Sequence, residues 1–358
     1  MITDEKLAAF AAACRREVAG ELRTDEVSRA LYSTDASLYQ LMPHAVLIPR
    51  TADDVAAAVA LAAAHDLPVL ARAAGTSLAG QAVNEALVID FTRHLDHIIA
   101  IDPAARRATV QPGVVLDDLN VALRPHGLQF GPDPASSDRS TLGGAVANNA
   151  SGSHSIVYGM TADHVRGMRV VLADGSTADF GAQPPASGST AAQIESQIAA
   201  LLADDANRRA IRDGTPRHWR RCGGFALDRL LPAVGRDGIP PHTSGAGYHP
   251  ALQALVCGSE GTLAIMTEIT VNLVPRPSHT GLVLLHFDDL YAALEAVPEL
   301  LTTGPTAIEL LDTLSLTLCH GVPAYARLLE SVVPGRPNGL LVVEYSGDSC
   351  LLYTSRCV

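Results

Sequence analysis

Residues 131–159 contain a long run of small and hydroxyl-bearing side chains, and this run constrains the fold more than any other feature. It includes the adjacent glycines Gly143 and Gly144 and the adjacent amides Asn148 and Asn149. Glycines permit close backbone approach, and the amides offer both hydrogen-bond donors and acceptors. So many small residues pack poorly against each other unless a large, flat molecule fills the space between them. The run therefore favours a buried cofactor over an ordinary packed loop.

Two further segments have the same character. Residues 71–81 follow a predicted strand and combine Gly75 with the hydroxyls of Thr76 and Ser77. Backbone N–H groups converge in such a turn and can bind a diphosphate. Residues 258–267 form a tight turn that enters a strand, again with small side chains. Taken alone, the first segment slightly favours a plain glycine turn between strands, and the second is compatible with a simple β-turn.

The chain contains a single lysine, Lys6, and this excludes several chemistries. A Walker A loop requires a lysine after its glycines, and a Schiff-base enzyme requires a lysine nucleophile. Phosphate must therefore be held by backbone N–H groups, hydroxyls or arginine. No GxGxxG, GxSxG or HExxH motif occurs, which disfavours a Rossmann dinucleotide site, a serine hydrolase and a zinc protease. The cysteines form no CxxC pair, and we expect no metal site.

The formal net charge of −12 argues against a nucleic-acid-binding protein. The basic run at residues 217–221 is the local exception: it is either a solvated loop or a docking point for an anionic substrate. For the second alternative, Arg220, Arg221 and Phe225 are the candidate substrate contacts. The cysteines are scattered, and the sequence has neither a signal pattern nor an apolar stretch of about 18 residues. These features predict a cytoplasmic protein without a membrane span. Any association with the inner membrane would be peripheral.

Hydrophobic patterning predicts a mixed α+β (α/β) fold. A helix over the first turns and a β-α-β unit at residues 45–71 should place two parallel strands side by side. The pattern further predicts helices at residues 116–124 and 290–301. It predicts one hairpin from strands 98–101 and 108–111 and another from strands 168–172 and 176–179. Single strands are predicted at 87–90, 254–257, 263–274, 282–287, 307–310 and 340–345.

These elements suggest three regions. We predict an N-terminal helical segment at residues 1–42, a cofactor-binding domain at 43–277 with a loop-rich insertion at about 181–250, and a second α+β domain that starts at 278. Two or three strands and one or two helices make a poor independent core. We therefore expect the chain to be a fragment that lacks most of its second domain; whether residues 350–358 are native sequence stays open.

The three small-residue segments, in this order, resemble the FAD-binding domain of the vanillyl-alcohol oxidase / p-cresol methylhydroxylase superfamily. The resemblance covers residues 43–277 and rests on Gly-Thr-Ser-x-x-Gly-Gln at 75–81, Pro-Asp-Pro-x-Ser from 132 with Gly-Gly-x-x-Ala-Asn-Asn-Ala-Ser-Gly at 143–152, and Gly-Ser-Glu-Gly-Thr-Leu at 258–263. Within it the chain looks like the D-lactate, glycolate and D-2-hydroxyglutarate dehydrogenases, whose C-terminal domain the stretch 306–312 resembles. The resemblance implies a two-subdomain PCMH-type FAD-binding fold followed by the start of a ferredoxin-like α+β cap domain.

The resemblance also implies the cofactor contacts. Residues 73–77 and 141–144 would hold the pyrophosphate, Asn148, Ser151 and Gly152 would lie along the ribityl chain and flavin ring, and Glu260, Gly261 and Ile265 would line the adenine or flavin side. The complete set of expected FAD contacts is Arg72, Ala73, Ala74, Gly75, Thr76, Ser77, Gly80, Gln81, Pro134, Ser137, Thr141, Leu142, Gly143, Gly144, Asn148, Asn149, Ser151, Gly152, Tyr158, Glu260, Gly261 and Ile265.

The first loop departs from the family pattern at two positions. Relatives often have Arg-Gly-Gly-Gly-Thr where this chain has Arg72-Ala-Ala-Gly-Thr76, so Ala73 and Ala74 must adopt ordinary backbone angles. Relatives that attach the flavin covalently commonly have a histidine in this loop. The loop here contains none, so we predict that FAD is bound non-covalently.

The implied activity is oxidation of a small D-2-hydroxy acid, with D-lactate and a cytochrome acceptor as the leading expectation. A hydride would pass from the substrate Cα to flavin N5, and the electrons would pass on to a quinone, a cytochrome or an iron–sulfur module that this chain does not encode. The catalytic base, the hydroxy acid, the acceptor and the oligomeric state stay open. Two alternatives remain: an FAD-binding subunit of a multi-subunit oxidase, and an enzyme like the peptidoglycan-precursor (UDP-N-acetylenolpyruvoylglucosamine) reductase.

Overall fold

The computed structural model describes residues 3–181, 185–231 and 251–348. The chain groups into two compact units. The first comprises Met1–Ser151 and Met160–Val274, and the second comprises Gly152–Gly159 and Pro275–Val358. The described residues do not include 232–250, which belong to the predicted insertion. They also do not include residues 350–358, for which it stays open whether the sequence is native.

The first unit begins with a four-stranded sheet in the order β1-β2-β4-β3. Both β2 and β3 run parallel to β4, while β1 is antiparallel to β2. Strands β2 and β4 are buried along their whole length, as uninterrupted apolar runs in a parallel sheet should be. The elements of this part are α1 (Asp4–Glu17), β1 (Glu21–Arg23), α2 (Glu26–Leu31), β2 (Ala45–Ile48), α3 (Ala52–Ala64), β3 (Val69–Arg72) and β4 (Leu87–Asp90).

The sequence prediction for this sheet was correct in its elements and wrong in one adjacency. Strands β2 and β3 are parallel, but they are not neighbours, because β4 lies between them and pairs with both. A helical crossover is long enough to leave room for a later strand, so local pattern does not determine which strands are adjacent. The N-terminal segment, predicted as helical, also contains strand β1, which extends the sheet.

Helix α3 is fixed at its start by a capping box. The Thr51 hydroxyl accepts a hydrogen bond from the Asp54 N–H, and the Asp54 carboxylate accepts one from the Thr51 N–H. The same buried carboxylate accepts bonds from the N–H groups of Ala19 and Arg50, both at 2.8 Å. Asp54 therefore joins the helix start to the end of α1, whose Phe10 is fully buried in the shared core.

A five-stranded antiparallel sheet, in the order β5-β6-β10-β8-β9, forms the rest of the first unit. Its inner face packs on the helices around the small-residue run. The elements are β5 (Ile98–Asp102), β6 (Arg107–Val110), α4 (Leu116–Leu123), β7 (Leu128–Gln129), α5 (Leu142–Ala147), α6 (Ser155–Tyr158, in the second unit), α7 (Thr161–His164), β8 (Val165–Val171), β9 (Thr177–Gly181), α8 (Thr190–Ala203), α9 (Asp205–Gly214), α10 (Leu252–Val256), β10 (Ile265–Asn272) and β11 (Val274–Pro275). Both predicted hairpins are confirmed.

The strand predicted at residues 254–257 is wrong, because these residues belong to helix α10 and its C-terminal end. Leu252, Gln253, Ala254 and Val256 are all buried, so the segment shows no polar face that would reveal a helical period. Short apolar runs of this kind do not distinguish a buried strand from a buried helical turn.

The described part of the insertion is attached to the first unit by a buried ion pair. Arg229 Nη1 lies 2.6 Å from Asp163 Oδ1, and only about a tenth of each side chain is exposed. Burial opposes ionisation of Asp163, but the charge of Arg229 holds the pKa of this carboxyl below its ordinary value. The Asp163 carboxylate also accepts a bond from the Met160 N–H at 2.7 Å, which fixes the start of α7.

The second unit contains a three-stranded antiparallel sheet with β14 between β12 and β13. Alternate residues of β14 point to opposite faces: Leu341 and Val343 pack against α11, while Leu340 and Val342 pack against α12 and α13. The strand order is that of the first three strands of a ferredoxin-like βαββαβ unit. The elements are β12 (His279–Phe287), α11 (Leu290–Thr302), β13 (Ala307–Asp312), α12 (Thr313–Gly321), α13 (Pro323–Val332) and β14 (Gly339–Gly347).

Candidate functional site: a cofactor cavity in the first unit

The three small-residue segments meet around one cavity of about 360 Å³, a size that suits a cofactor site. Its wall combines backbone turns, hydroxyls and amides with small apolar side chains, and Arg72 and Glu260 are the charged residues in it. The lining residues are Ala71, Arg72, Ala73, Gly75, Thr76, Ser77, Leu78, Gln81, Ala82, Phe91, Pro112, Pro134, Ser136, Ser140, Gly143, Gly144, Ala145, Ala147, Asn148, Ala150, Glu260, Gly261, Ala264, Ile265 and Met266.

Arg72 organises the first loop of the cavity from inside the protein. Its Nη1 donates to the carbonyl oxygens of Tyr32 (3.2 Å) and Ala82 (2.8 Å), and its Nη2 donates to that of Thr34 (2.8 Å). Burial lowers the pKa of the guanidinium below its ordinary value. Since three carbonyls occupy these donors, the side chain acts mainly as a support for the loop.

The backbone angles of the loop agree with the sequence prediction. Gly75 has φ +68°, whereas Ala73 and Ala74 are not among the residues with positive φ. A β-carbon at Gly75 would lie 2.8 Å from Arg72 Nη2, so this position requires glycine for space as well as for conformation. The turn directs Thr76, Ser77 and Gln81 to the cavity.

The two glycines of α5 have different roles. A β-carbon at Gly143 would lie 2.6 Å from Pro112 Cβ, so the absence of a side chain allows α5 to pack on the neighbouring turn. The Gly143 N–H donates to the Pro112 carbonyl at 2.8 Å. Gly144 faces the first loop, where a β-carbon would be 3.2 Å from that of Ala73. At the helix end, Asn148 Nδ2 donates to Ser77 Oγ at 3.3 Å and joins the two segments.

Ser140 is a lining residue that sequence reasoning missed. It is 6% exposed, and its buried Oγ has no hydrogen-bond partner among the described residues. A buried hydroxyl without a partner is costly, and at a cavity wall it indicates a polar ligand atom that accepts from it. The signal available in the sequence was its place in the Ser140-Thr141-Leu142 stretch directly before the double glycine.

The turn at residues 258–261 is attached to the end of α5 by backbone bonds. The N–H groups of Gly258 and Glu260 donate to the carbonyls of Val146 and Ala147, both at 3.0 Å. Glu260 and Gly261 have φ +52° and +77°. Gln81 Nε2 donates to Glu260 Oε1 at 3.2 Å, so the first loop and this turn meet at the cavity.

Several expected FAD contacts do not line the cavity. Asn149 is buried, and its side chain accepts from the Ala162 N–H (2.9 Å) and donates to the Arg221 carbonyl (3.1 Å), so it supports the surrounding chain. Leu142 is fully buried in the core. The expected contacts outside the lining are Ala74, Gly80, Ser137, Thr141, Leu142, Asn149 and Ser151 in the first unit and Gly152 and Tyr158 in the second.

The candidate substrate contacts lie in the insertion. The Arg221 guanidinium is paired with the Asp228 carboxylate and donates to the carbonyls of Pro216 (3.0 Å) and His218 (3.3 Å). The guanidinium of Arg220 lies over the Trp219 ring at 5.2 Å, and Phe225 is exposed. The Arg221 guanidinium is thus occupied by an internal ion pair, which makes Arg221 a weak candidate for binding a substrate.

The second unit contains its own polar cluster around Glu344 on β14. His154 Nε2 donates to Glu344 Oε1 at 2.8 Å, and the hydroxyls of Thr306 (2.8 Å) and Ser346 (3.1 Å) donate to the same oxygen. The bond from His154 holds the pKa of Glu344 below its ordinary value, although burial opposes this. Within the described ranges, no three histidine, cysteine or carboxylate side chains are grouped as a metal site requires.

Comparison with known proteins identifies the class of this fold. The chain matches the FAD binding domain model over residues 43–181 and the model of the C-terminal domain of FAD linked oxidases over residues 276–352. It also resembles solved structures of alkyldihydroxyacetonephosphate synthase (TM-score 0.65, 19% identity, 98% of this chain and 57% of that chain) and p-cresol methylhydroxylase (TM-score 0.68, 16% identity, 99% and 63%). These likenesses show the fold.

Curated relatives place the chain within that class. It is 34% identical over 336 residues to the D-2-hydroxyglutarate dehydrogenase of Pantoea ananatis (strain AJ13355), which covers 92% of this chain and 32% of the relative. It is 30% identical over 337 residues to the glycolate oxidase subunit GlcD of Bacillus subtilis (strain 168), covering 92% of this chain and 58% of that subunit. The chain thus spans about a third of the length of the first relatives. It belongs to the FAD-linked oxidoreductases with a PCMH-type FAD-binding domain.

The cavity fits the cofactor of this family, FAD. The partnerless Ser140 hydroxyl and the hydroxyls of Thr76 and Ser77 are donors suited to a diphosphate. The small side chains of Ala145 and Ala147 leave room for a flat ring beside α5. These features agree with the sequence-based prediction that phosphate is held without lysine.

Proposed function

We propose that the full-length protein is an FAD-dependent dehydrogenase of a D-2-hydroxy acid and that this chain supplies its flavin site. The observation that carries the proposal is the lysine-free cavity with the partnerless Ser140 hydroxyl. The relatives are named D-2-hydroxyglutarate dehydrogenase and glycolate oxidase subunit, and these names suggest the substrate class. They favour 2-hydroxyglutarate or glycolate over the D-lactate expected from the sequence. The cytochrome acceptor stays a prediction.

When bound, FAD supplies the hydride acceptor of the reaction. The residues of this chain would hold it: Thr76, Ser77 and Ser140 offer hydroxyl donors, and the small side chains of the wall leave room for the ring. With no histidine in the first loop, we propose non-covalent attachment. The catalytic base is not assigned to any residue of this chain.

Reconstitution tests the flavin site directly. The purified chain should acquire a flavin absorbance spectrum with FAD, and acid precipitation should leave the flavin in the supernatant. Ser140→Ala should weaken FAD binding about 10- to 150-fold, since one lost hydrogen bond to a charged group is worth about 1.5–3 kcal/mol. Ser136→Ala, at a neighbouring lining serine that is only half-buried, is the matched control. A colourless protein that does not take up FAD would refute the flavin assignment.

The substrate class is tested on the full-length gene product with an artificial electron acceptor. We expect turnover of D-2-hydroxyglutarate or glycolate and little turnover of the L-enantiomer where one exists. Reduction of the bound flavin by NADPH alone would instead support the peptidoglycan-precursor reductase alternative, against which the match of residues 276–352 to the oxidase C-terminal domain speaks.

A second candidate is an FAD-binding subunit whose partners are separate polypeptides. One observation favours it: a relative that aligns with 92% of this chain is itself named as a subunit. Co-purification from the native source distinguishes the two cases, because a subunit should elute with stoichiometric partners, whereas a single-polypeptide enzyme should be active alone.

A further inference from the structure

The insertion carries a dense cluster of positive charge on an otherwise acidic protein. Residues 208–221 contain six arginines and a single aspartate, Asp213, while the whole chain has a net charge of −12. We call residues 205–225 the arginine segment. It comprises α9 and the loop that follows it.

Part of this charge is used internally and part faces outward. Arg208 is paired with Asp205, and Arg221 with Asp228. Arg209, Arg212 and Arg217 are exposed. The apolar Ile211 of α9 packs against the small buried cluster of Leu202, Leu230 and Leu231. The outward surface of helix α9 is therefore charged, and its apolar Ile211 is already covered.

The arginine segment is attached to the chain that borders the cofactor cavity. The Arg221 carbonyl accepts a bond from Asn149, one residue beyond the cavity residue Asn148. The Gly224 carbonyl oxygen lies 3.5 Å from the position of a β-carbon on Gly258, which starts the turn carrying Glu260. The exposed arginines thus lie on a segment whose far end contacts Asn149 and Gly258, which are close in sequence to the lining residues Asn148 and Glu260.

From this juxtaposition we infer that the arginine segment is the docking surface for an acidic electron-accepting protein. The inference rests on the proposed function: oxidation of one hydroxy acid to a keto acid releases two electrons and two protons. The protons pass to solvent, and a one-electron acceptor protein must dock and leave twice per turnover. Such encounters use small, charge-complementary surfaces that associate fast and separate readily.

The chemistry of the segment favours an acidic protein over an anionic membrane. Helices that lie on membranes present exposed apolar residues beside the basic ones. Here Ile211 of α9 packs into the interior, so that the helix offers charge without an apolar face to insert. Phe225, at the end of the segment, is an exposed apolar side chain but does not form such a face with the helix arginines. Nucleic acid is disfavoured by the net charge of the chain.

Two charge-reversal variants of the FAD-loaded chain test the inference. R209E/R217E alters the arginine segment, and R327E/R336E makes the same change in net charge at exposed arginines of the second unit. The probes are a small acidic ferredoxin, an acidic flavodoxin and vesicles containing anionic lipid. Binding is measured by titration at low and physiological ionic strength, and flavin content is measured separately by absorbance for every protein.

We expect the wild-type chain to bind the acidic redox proteins at low ionic strength and to lose affinity as salt is added. R209E/R217E should weaken this binding at least about 10-fold, and the control should stay within about 2-fold. Equal loss in both variants, failure of both redox proteins to bind the wild-type chain, or binding of vesicles alone would each overturn the inference. A chain that carries flavin but does not bind the probes refutes the docking surface and leaves the flavin site intact.

Discussion

Replacing Gly75 by alanine tests how the first loop of the cavity is built. The glycine has φ +68°, and an alanine held in the left-handed region costs about 1–2 kcal/mol. The added β-carbon would also lie 2.8 Å from Arg72 Nη2, which donates to the Thr34 carbonyl. Displacing that donor removes a hydrogen bond from a charged group, worth about 1.5–3 kcal/mol. We therefore expect a total cost of about 2.5–5 kcal/mol.

The two contributions separate in a double-mutant cycle. In an Arg72→Met background the guanidinium is absent, so Gly75→Ala should cost only the backbone strain of about 1–2 kcal/mol. Gly127→Ala is the matched control, because Gly127 has φ +65° and no atom within 4 Å of a β-carbon. Its cost should be the same in both backgrounds.

Urea denaturation followed by circular dichroism gives the free energies of unfolding, and flavin titration gives the effect on FAD affinity. The coupling energy between Gly75 and Arg72 should be about 2 kcal/mol. If Gly75→Ala costs the same with and without Arg72, the guanidinium does not limit the space at this turn, and the account of the loop is refuted.

Three further predictions concern other parts of the chain. Asp54→Ala should destabilise the first unit by about 2–4 kcal/mol, because the buried Asp54 carboxylate accepts hydrogen bonds from the N–H groups of Ala19, Arg50 and Thr51, while exposed Asp53→Ala should cost under about 0.5 kcal/mol in urea denaturation. Because the pKa of Glu344 in the folded protein lies below its ordinary value of 4.5, the ionised carboxylate stabilises the second unit at pH values above 4.5. This stabilisation should disappear as the pH falls through the folded-state pKa. In a series of unfolding curves at different pH, Glu344→Gln should remove this pH dependence. Burial raises the pKa of the Cys257 thiol to about 12, so mass spectrometry after thiol labelling should find it unmodified in the native protein while exposed Cys222 reacts; rapid native labelling of Cys257 would contradict its burial.

The sequence was most informative where one local pattern had one physical meaning. The Thr51–Asp54 cap predicted the start of α3, and the turn residues between the strands, Asp102-Pro103 and 173–175, predicted the two hairpins. The glycine and hydroxyl motifs located the cavity segments because ligand-cradling turns need the same residue types regardless of the rest of the chain.

The remaining features depended on contacts distant in sequence. The place of β4 between β2 and β3 depends on packing between elements, and the apolar run of α10 has no periodicity to reveal a helix. Asn149 belongs to a ligand-like motif, but its partners, Ala162 and Arg221, are set by the tertiary fold. Ser140 could not be recognised as a partnerless donor until the surroundings of its hydroxyl were known.

Residues 152–159 leave the first unit, join the second and return, so the backbone passes between the units three times. A single protease cut near residue 275 would therefore leave an eight-residue piece of the second unit, including His154, on the wrong side of the break. A single recombination crossover could therefore not exchange the whole second unit. Replacing the second unit would also require a compatible segment at residues 152–159 in the same recombination event. We therefore expect the two units to be inherited together.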